Sequence, residues 1–192
     1  QLMLVRGLHL AKMLDKKKRN FLSAAGVPLI HPLVDLGNYV MLEMGTPMHV
    51  FDFDHLELPL NILFPVSKKT PFQAIGGDTK IVEPSSLTIQ DQKGIQAIAG
   101  IIGGHETSVS KSTKSIAVEA AFFNPDKIAN QARKYGLATD ASHRFERGVD
   151  PELQQQALAR FLFLLKEIAQ YDSIGCYEGS SEKLKPRAIS LN

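Results

Sequence analysis

The sequence lacks the features that would place it outside ordinary folded proteins. It has one cysteine, Cys176, so no internal disulfide can frame the fold, and a lone thiol fits a reducing compartment. No apolar run approaches the roughly 20 residues needed to cross a bilayer. The opening Gln1–Val5 has neither the length, the charged start nor the cleavage site of a secretory signal. Charge of one sign is missing too. A formal net charge of +2 is too balanced to hold nucleic acid by bulk electrostatics, so any RNA contact must be local. The first residue is Gln rather than Met, and the chain is expected to be a piece of a longer polypeptide.

Familiar chemical motifs are also scarce. Asp52, Asp54, His55 and Glu57 cluster, but Asp52-x-Asp54-His55 lacks zinc or calcium spacing, and a surface turn is expected. After His105-Glu106, Val109 stands where a helical zinc site needs its second histidine. No metal site is assigned. Gly103-Gly104 follows an apolar run but matches no dinucleotide or phosphate-loop pattern. Such a pair forms a tight turn, or permits close approach of a backbone or ligand. No serine sits in a nucleophile elbow and Cys176 lies near the C-terminal end, so a protein nucleophile is not expected.

What is present is enough apolar material for one good core, or two small ones sharing an interface: 44% hydrophobic and 22% charged residues over 192 positions. Leu2–Leu10 reads as a strand. A helix over Met13–Ala25 carries the basic run Lys16, Lys17, Lys18 and Arg19 and stops at Gly26; the run is a solvated face or an RNA-backbone patch. Pro28 and Pro32 keep the next stretch extended. Asn38 is expected to cap a short helix Tyr39–Met44 ended by Gly45, with a turn at Thr46–His49 and an extended run Val50–Leu58. Short β-branched runs then predict strands at Ile62–Val66, Phe72–Ile75, Lys80–Val82, Leu87–Ile89, Ile95–Ile101 and Ser115–Phe123, with hairpin turns at Gly76–Asp78 and Asp91–Gly94. Asn124-Pro125-Asp126 opens a helix to Tyr135, closed by Gly136. Asp150-Pro151-Glu152 opens another to Gln170, whose apolar stripe Leu153, Ala157, Phe161, Leu164, Leu165 and Ile168 is core packing. The expected fold is α+β, a mixed β-sandwich-like core with flanking helices.

Glu119 is the residue that most needs explaining. It is a carboxylate among Ala117, Val118, Ala120, Ala121, Phe122 and Phe123, and a buried charge is costly unless paired or hydrogen-bonded. Three roles are open: an ion pair with Arg144 or Arg147, a general base, or an acceptor in a small polar pocket. For the two arginines, pairing with Glu146, Asp150 or Asp140 is the structural alternative.

Four stretches, VDLGNYVMLEMGTPMHVFDFDHL (Val34–Leu56), IAGIIGGHETSV (Ile98–Val109), VEAAFFNP (Val118–Pro125) and GLATDASHRFERGVDP (Gly136–Pro151), resemble in order the B3/B4 region of the β subunit of bacterial-type phenylalanyl-tRNA synthetase. The resemblance covers essentially the whole chain. It implies an editing domain over residues 1–175 and a tail, 176–192, leading to the next domain of the subunit. The implied activity is hydrolysis of tyrosine mistakenly esterified to tRNA(Phe), while aminoacylation, with its ATP and magnesium, belongs to the α subunit. Editing itself would need no metal or cofactor. The implied partners are the tRNA(Phe) acceptor end, the α subunit and the remaining β-subunit domains, with no membrane contact and a cytoplasmic location.

By the same resemblance, Glu119 accepts a hydrogen bond from the tyrosyl hydroxyl, Thr139 and Ala141 shape the pocket, and Gly103 leaves room for the amino acid. His49 and Asn38 lie near the ester and the tRNA terminus; hydrolysis is then expected to use a positioned water, assisted by His49 or by the substrate's own groups. The small residues Gly103, Gly104 and Ala141 would make space for the ring, and Glu119 would act at the ring end, away from the ester. Two positions depart from the pattern: Gly37 replaces a frequent threonine in the pocket wall, and Pro28 lies near a frequent arginine that contacts the tRNA end. The alternative is a non-catalytic RNA-binding or subunit-packing module that has lost editing, using Lys16–Arg19, Arg133, Lys134, Arg144 and Arg147.

Overall fold

The computed structural model describes residues 1–63 and 68–179. In chain order the elements are β1 (Leu2–Arg6), β2 (His9–Leu10), α1 (Lys16–Ala24), α2 (Pro32–Met44), β3 (Met48–Asp52), β4 (Asn61–Leu63), β5 (Thr70–Gln73), β6 (Thr79–Val82), β7 (Thr88–Gln90), β8 (Ile95–Ile98), β9 (Ile102–Gly103), β10 (Ile116–Ala120), α3 (Pro125–Ile128), α4 (Gln131–Lys134), α5 (Asp140–Phe145), α6 (Gln154–Ile168), β11 (Ala169–Gln170) and β12 (Ser173–Tyr177).

Two antiparallel sheets carry the fold, one ordered β12-β1-β10-β3 and the other β4-β7-β8-β9, with β5–β6 as a separate hairpin. The strands β1, β3 and β10 of the first sheet are largely apolar on both faces because both faces are covered there, while the edge strand β12 is exposed. Side chains alternate along a strand, so Met3, Val5, Val50, Ile116, Val118 and Ala120 turn one way. They pack with Leu22 of α1, Leu33 and Leu36 of α2, and Phe161 and Leu165 of α6. Phe51 and Ala117 turn the other way, toward Ile89 and Ala97 of the second sheet, joined by Phe145 of α5. The result is an α+β sandwich with helices against the outer face of the first sheet. The α6 stripe is buried as the periodicity predicts.

Several elements differ from the sequence reading, each for a local reason. Pro32 does not hold the chain extended; it is the first residue of α2, where its missing N–H costs nothing. His31 is the N-cap, with its side chain accepting from the Leu33 amide. Asn38 therefore lies in mid-helix and caps nothing. His49 is in a strand rather than a turn, because Gly45, left-handed at φ 76°, already ends the helix. The predicted strand Leu2–Leu10 bends at Gly7 (φ 65°) into β1 and β2, and Ile95–Ile101 reverses at Gly100 (φ 70°) into β9.

The predicted helix Pro125–Tyr135 is two short turns separated by Asn130 in the left-handed region at φ 60°. Asn124 nevertheless caps α3 as expected, accepting from the Asp126 amide at 3.0 Å. The last long helix starts at Gln154 rather than Pro151, since Asp150 accepts from the Glu152 amide and shapes a preceding turn. Asp52 is not a surface turn residue. It is buried and accepts from the Asp54 amide and the Thr113 hydroxyl. From residue 64 on, the predicted strand Ile62–Val66 lies outside the described residues. At the other end β12 pairs with β1, placing Cys176 opposite Met3 and Tyr177 opposite Leu2.

Candidate functional site

The antiparallel register of β3 and β10 sets Glu119 directly opposite His49, with Cβ atoms about 5 Å apart by the geometry of such pairs. Both lie on the face turned toward the second sheet. There they line a cavity of about 60 Å³ together with Gly100, Gly103, Ile102, Ala141, Phe145 and neighbouring apolar residues of β3, β7 and β8. On its other side, Glu119 borders a larger cavity of about 470 Å³ walled by Leu2, Leu4, Phe51, Phe53, Leu60 and Ala121, among others.

Glu119 keeps a little exposure through these openings, but no hydrogen bond or side-chain ion pair reaches it among the described residues. Burial pushes its carboxyl up to about 7. The ion-pair role is not what the structure contains: Arg144 pairs with Asp140 and Arg147 with Glu146. His49 sits edge-on to Phe51, with ring centroids 4.3 Å apart. Burial depresses its imidazole to about 4, so it is neutral at pH 7. Its Nε2 is buried without a partner.

Gly103 explains how that ring fits. A Cβ at this position would lie 2.3 Å from His49 Cε1 and 2.6 Å from Nε2, so any other residue would collide with the imidazole. Thr139 works from outside the cavity. Its hydroxyl accepts from the Ser142 amide at 3.0 Å and donates to the Ile101 carbonyl at 3.1 Å, and Ser142 returns the cap at the Thr139 amide. This capping box fixes the start of α5, and with it Ala141, against the pocket strand.

The structure thus brings Glu119, His49, Gly103 and Ala141 together, with Thr139 as their brace. It leaves three predicted positions outside. Gly104 packs elsewhere: an added Cβ would meet the Gln96 carbonyl at 2.9 Å, so its smallness serves close strand packing rather than ring space. Asn38 does not line the cavity. Gly37 contacts the back of β3 from α2, where a Cβ would make ordinary contacts with Met48 and Val50; it is not in the cavity lining.

The basic run is also distant. α1 packs in the core on the opposite face of the first sheet, and Lys18 is already paired with Asp15 and Glu167. Sequence reasoning missed Gly100 and Phe145. Their signal was a glycine inside an apolar run: at φ 70° Gly100 turns β8 into β9, and a Cβ there would meet Phe145 at 3.0 Å. Among the described residues, no group of His, Cys, Asp or Glu could hold a metal ion, and no helix is long and apolar enough to cross a membrane.

Chemically, the cavity offers one unpaired carboxyl as hydrogen-bond partner, one neutral imidazole, and walls of glycine, alanine and hydrocarbon. That suits recognition of a hydroxyl at the end of an apolar group, and the positioning of water.

Residues 4–170 match the model of the family described as "B3/4 domain". The chain is 43% identical over 170 residues to the phenylalanine–tRNA ligase beta subunit of Haemophilus influenzae, covering 88% of the chain and 21% of that protein. It is 37% identical over 188 residues to the corresponding subunit of Legionella pneumophila, covering 98% and 24% respectively. The chain therefore spans about a fifth to a quarter of these relatives' length. Among solved structures, an N-terminal fragment of the Pyrococcus horikoshii phenylalanyl-tRNA synthetase beta subunit shares the fold at TM-score 0.54, with 16% identity over 88% of this chain and 45% of that one. A family match along nearly all the described length, with relatives near 40% identity, places the chain: it belongs to the B3/4 domain family.

Proposed function

We propose that this domain is the editing module of a phenylalanine–tRNA ligase beta subunit, hydrolysing the ester that joins a wrongly attached tyrosine to tRNA(Phe). The observation that carries the reading is the unpaired carboxyl of Glu119, which faces a cavity walled by Gly103 and Ala141. A tyrosyl hydroxyl donates to that carboxylate; a phenylalanyl ring leaves it buried and unpaired. Sites that hydrogen-bond a substrate hydroxyl reject the analogue lacking it by roughly 10⁴–10⁵.

The reaction needs a water oxygen to attack the ester carbonyl carbon. The bond from that carbon to the ribose oxygen breaks, the ribose hydroxyl regains a proton, and free tyrosine leaves. At about 4, His49 is a poor general base at neutral pH; its neutral imidazole accepts a hydrogen bond and orients the water, and positioning alone supplies several kcal/mol. No metal or organic cofactor enters this step. ATP and magnesium serve aminoacylation in the alpha subunit, which with the other beta-subunit domains and the tRNA(Phe) acceptor end makes up the partners, in the cytoplasm.

The test is deacylation of tyrosyl-tRNA(Phe) by the full synthetase, with phenylalanyl-tRNA(Phe) as control. Glu119→Ala and Ala141→Trp should each lose tyrosyl ester hydrolysis while aminoacylation persists. Normal editing by both variants would remove the pocket from the mechanism, and a wild type that does not edit would leave a module that binds or packs only.

A further inference from the structure

The cavity between Glu119 and Gly103 is too small for the group it is meant to receive. Its volume is about 60 Å³, whereas a site that holds a benzene ring measures about 150 Å³. For a ring to lie between Glu119 and Gly103, rather than in the larger cavity on the other side of Glu119, something in the wall must give way. The glycine and alanine walls have no side chain to withdraw, Ile98, Ile101 and Phe145 are locked in buried clusters, and the partly buried Met48 and Ile102 pack against the cores beside the cavity.

His49 differs from all of them. Its ring is not tethered by any hydrogen bond at Nε2, an atom buried without a partner. The ring lies flush on Gly103, so close that a Cβ there would overlap it. An aromatic-sized slot in the free protein is thus filled by the protein's own aromatic side chain.

On the editing reading, we propose that His49 is a displaceable occupant of the substrate's ring slot: the imidazole rests on Gly103 in the free protein and swings off when the tyrosyl side chain enters. Gly103 then serves twice, as the seat of the imidazole in the closed state and as part of the floor exposed in the open one. The orphaned Nε2 gains a hydrogen-bond partner by leaving, which offsets the lost edge-on contact with Phe51. His49 becomes a specificity-determining residue, because only a side chain that fills the slot and reaches Glu119 replaces what the imidazole gave up.

The deciding experiment uses the assembled synthetase and a non-hydrolysable tyrosyl amide of 3′-amino-3′-deoxyadenosine. Crystal structures without and with the analogue should show His49 over Gly103 in the first and away from it in the second. Binding supplies an independent reading: a slot open about a tenth of the time has an affinity about tenfold below that of a permanently open one. His49→Ala should therefore bind the analogue about tenfold more tightly than wild type, while turning over the tyrosyl ester more slowly. Analogue bound with the imidazole still seated, or no gain in affinity in His49→Ala, overturns the displacement and leaves the editing reading standing. Analogue absent from the cavity altogether overturns both.

Discussion

Replacing Glu119 with glutamine should make the protein more stable at alkaline pH and leave it unchanged in mild acid. The carboxyl is raised from 4.5 to about 7 by burial. Between those values the folded chain keeps the proton that the unfolded chain has released. Stability then falls with rising pH at about 1.4 kcal/mol per unit, and the loss is complete above about pH 7.5. Over the whole window the carboxylate costs about 3 kcal/mol. Glutamine has nearly the same shape and no charge to desolvate, so it escapes this cost while matching the protonated acid below pH 4.5.

Urea unfolding of both proteins from pH 4.5 to 8 measures the difference directly. With a urea dependence of about 1–3 kcal/mol per molar, the midpoint of Glu119→Gln should exceed wild type by roughly 1–3 M at pH 8 and converge with it at pH 4.5. Contributions common to both chains, such as the depressed His31 and His49, largely cancel in the comparison. A midpoint difference that does not vary with pH would refute the reasoning, because it would mean that Glu119 is solvated or paired and titrates normally.

On the proposed editing function, the same carboxyl should make substrate discrimination pH-dependent. A phenol donates most strongly to the ionised form, so preference for tyrosyl over phenylalanyl ester should rise from pH 6 to pH 8, measured as the ratio of deacylation rates; a flat ratio would exclude Glu119 as the reader of the hydroxyl. Thr139→Val removes a helix cap and the link to the Ile101 carbonyl, and should cost about 1–2 kcal/mol in urea unfolding, with Thr139→Ser retaining most of it. Because α1 lies on the opposite face of the first sheet, changing Lys16 and Lys17 to Ala should leave the salt dependence of tyrosyl-tRNA deacylation unaltered. A log–log slope shallower by about 0.7–0.9 per lysine would instead mean that each touches a phosphate.

Part of the site was legible in the sequence because its signals are local in composition. Glu119 stands out as the one charge in an apolar strand, whereas Thr139, Ala141, Gly103 and His49 were named through the resemblance, and the helix that Thr139 caps was not predicted. Other features depend on tertiary context that no local pattern carries. Pro32 looks like a breaker until it is known to begin a helix, and that shift moved Asn38 from a cap to mid-helix. Gly103 and Gly104 are neighbours of identical type, yet one meets an imidazole and the other a carbonyl of β8, a distinction set by which strands pass overhead. The pairing of Glu119 with His49 depends on the register of strands about 70 residues apart in sequence. Even the role of Gly103 is inverted in the free protein, where its missing side chain makes room for His49.

The strand order β12-β1-β10-β3 has a consequence for synthesis on the ribosome. Among the strands of this sheet β1 is made first, but both of its neighbours are made much later, β10 beginning at Ile116 and β12 at Ser173. At about 5–20 residues per second, β1 waits on the order of ten seconds or more for its second partner. Until β10 is made both edges of the run Leu2-Met3-Leu4-Val5 are unpaired, and until β12 is made one still is, the kind of apolar edge that recruits other chains. A pause just before Ser173 therefore leaves this apolar strand with one edge open after every residue that lines the smaller Glu119 cavity has been made.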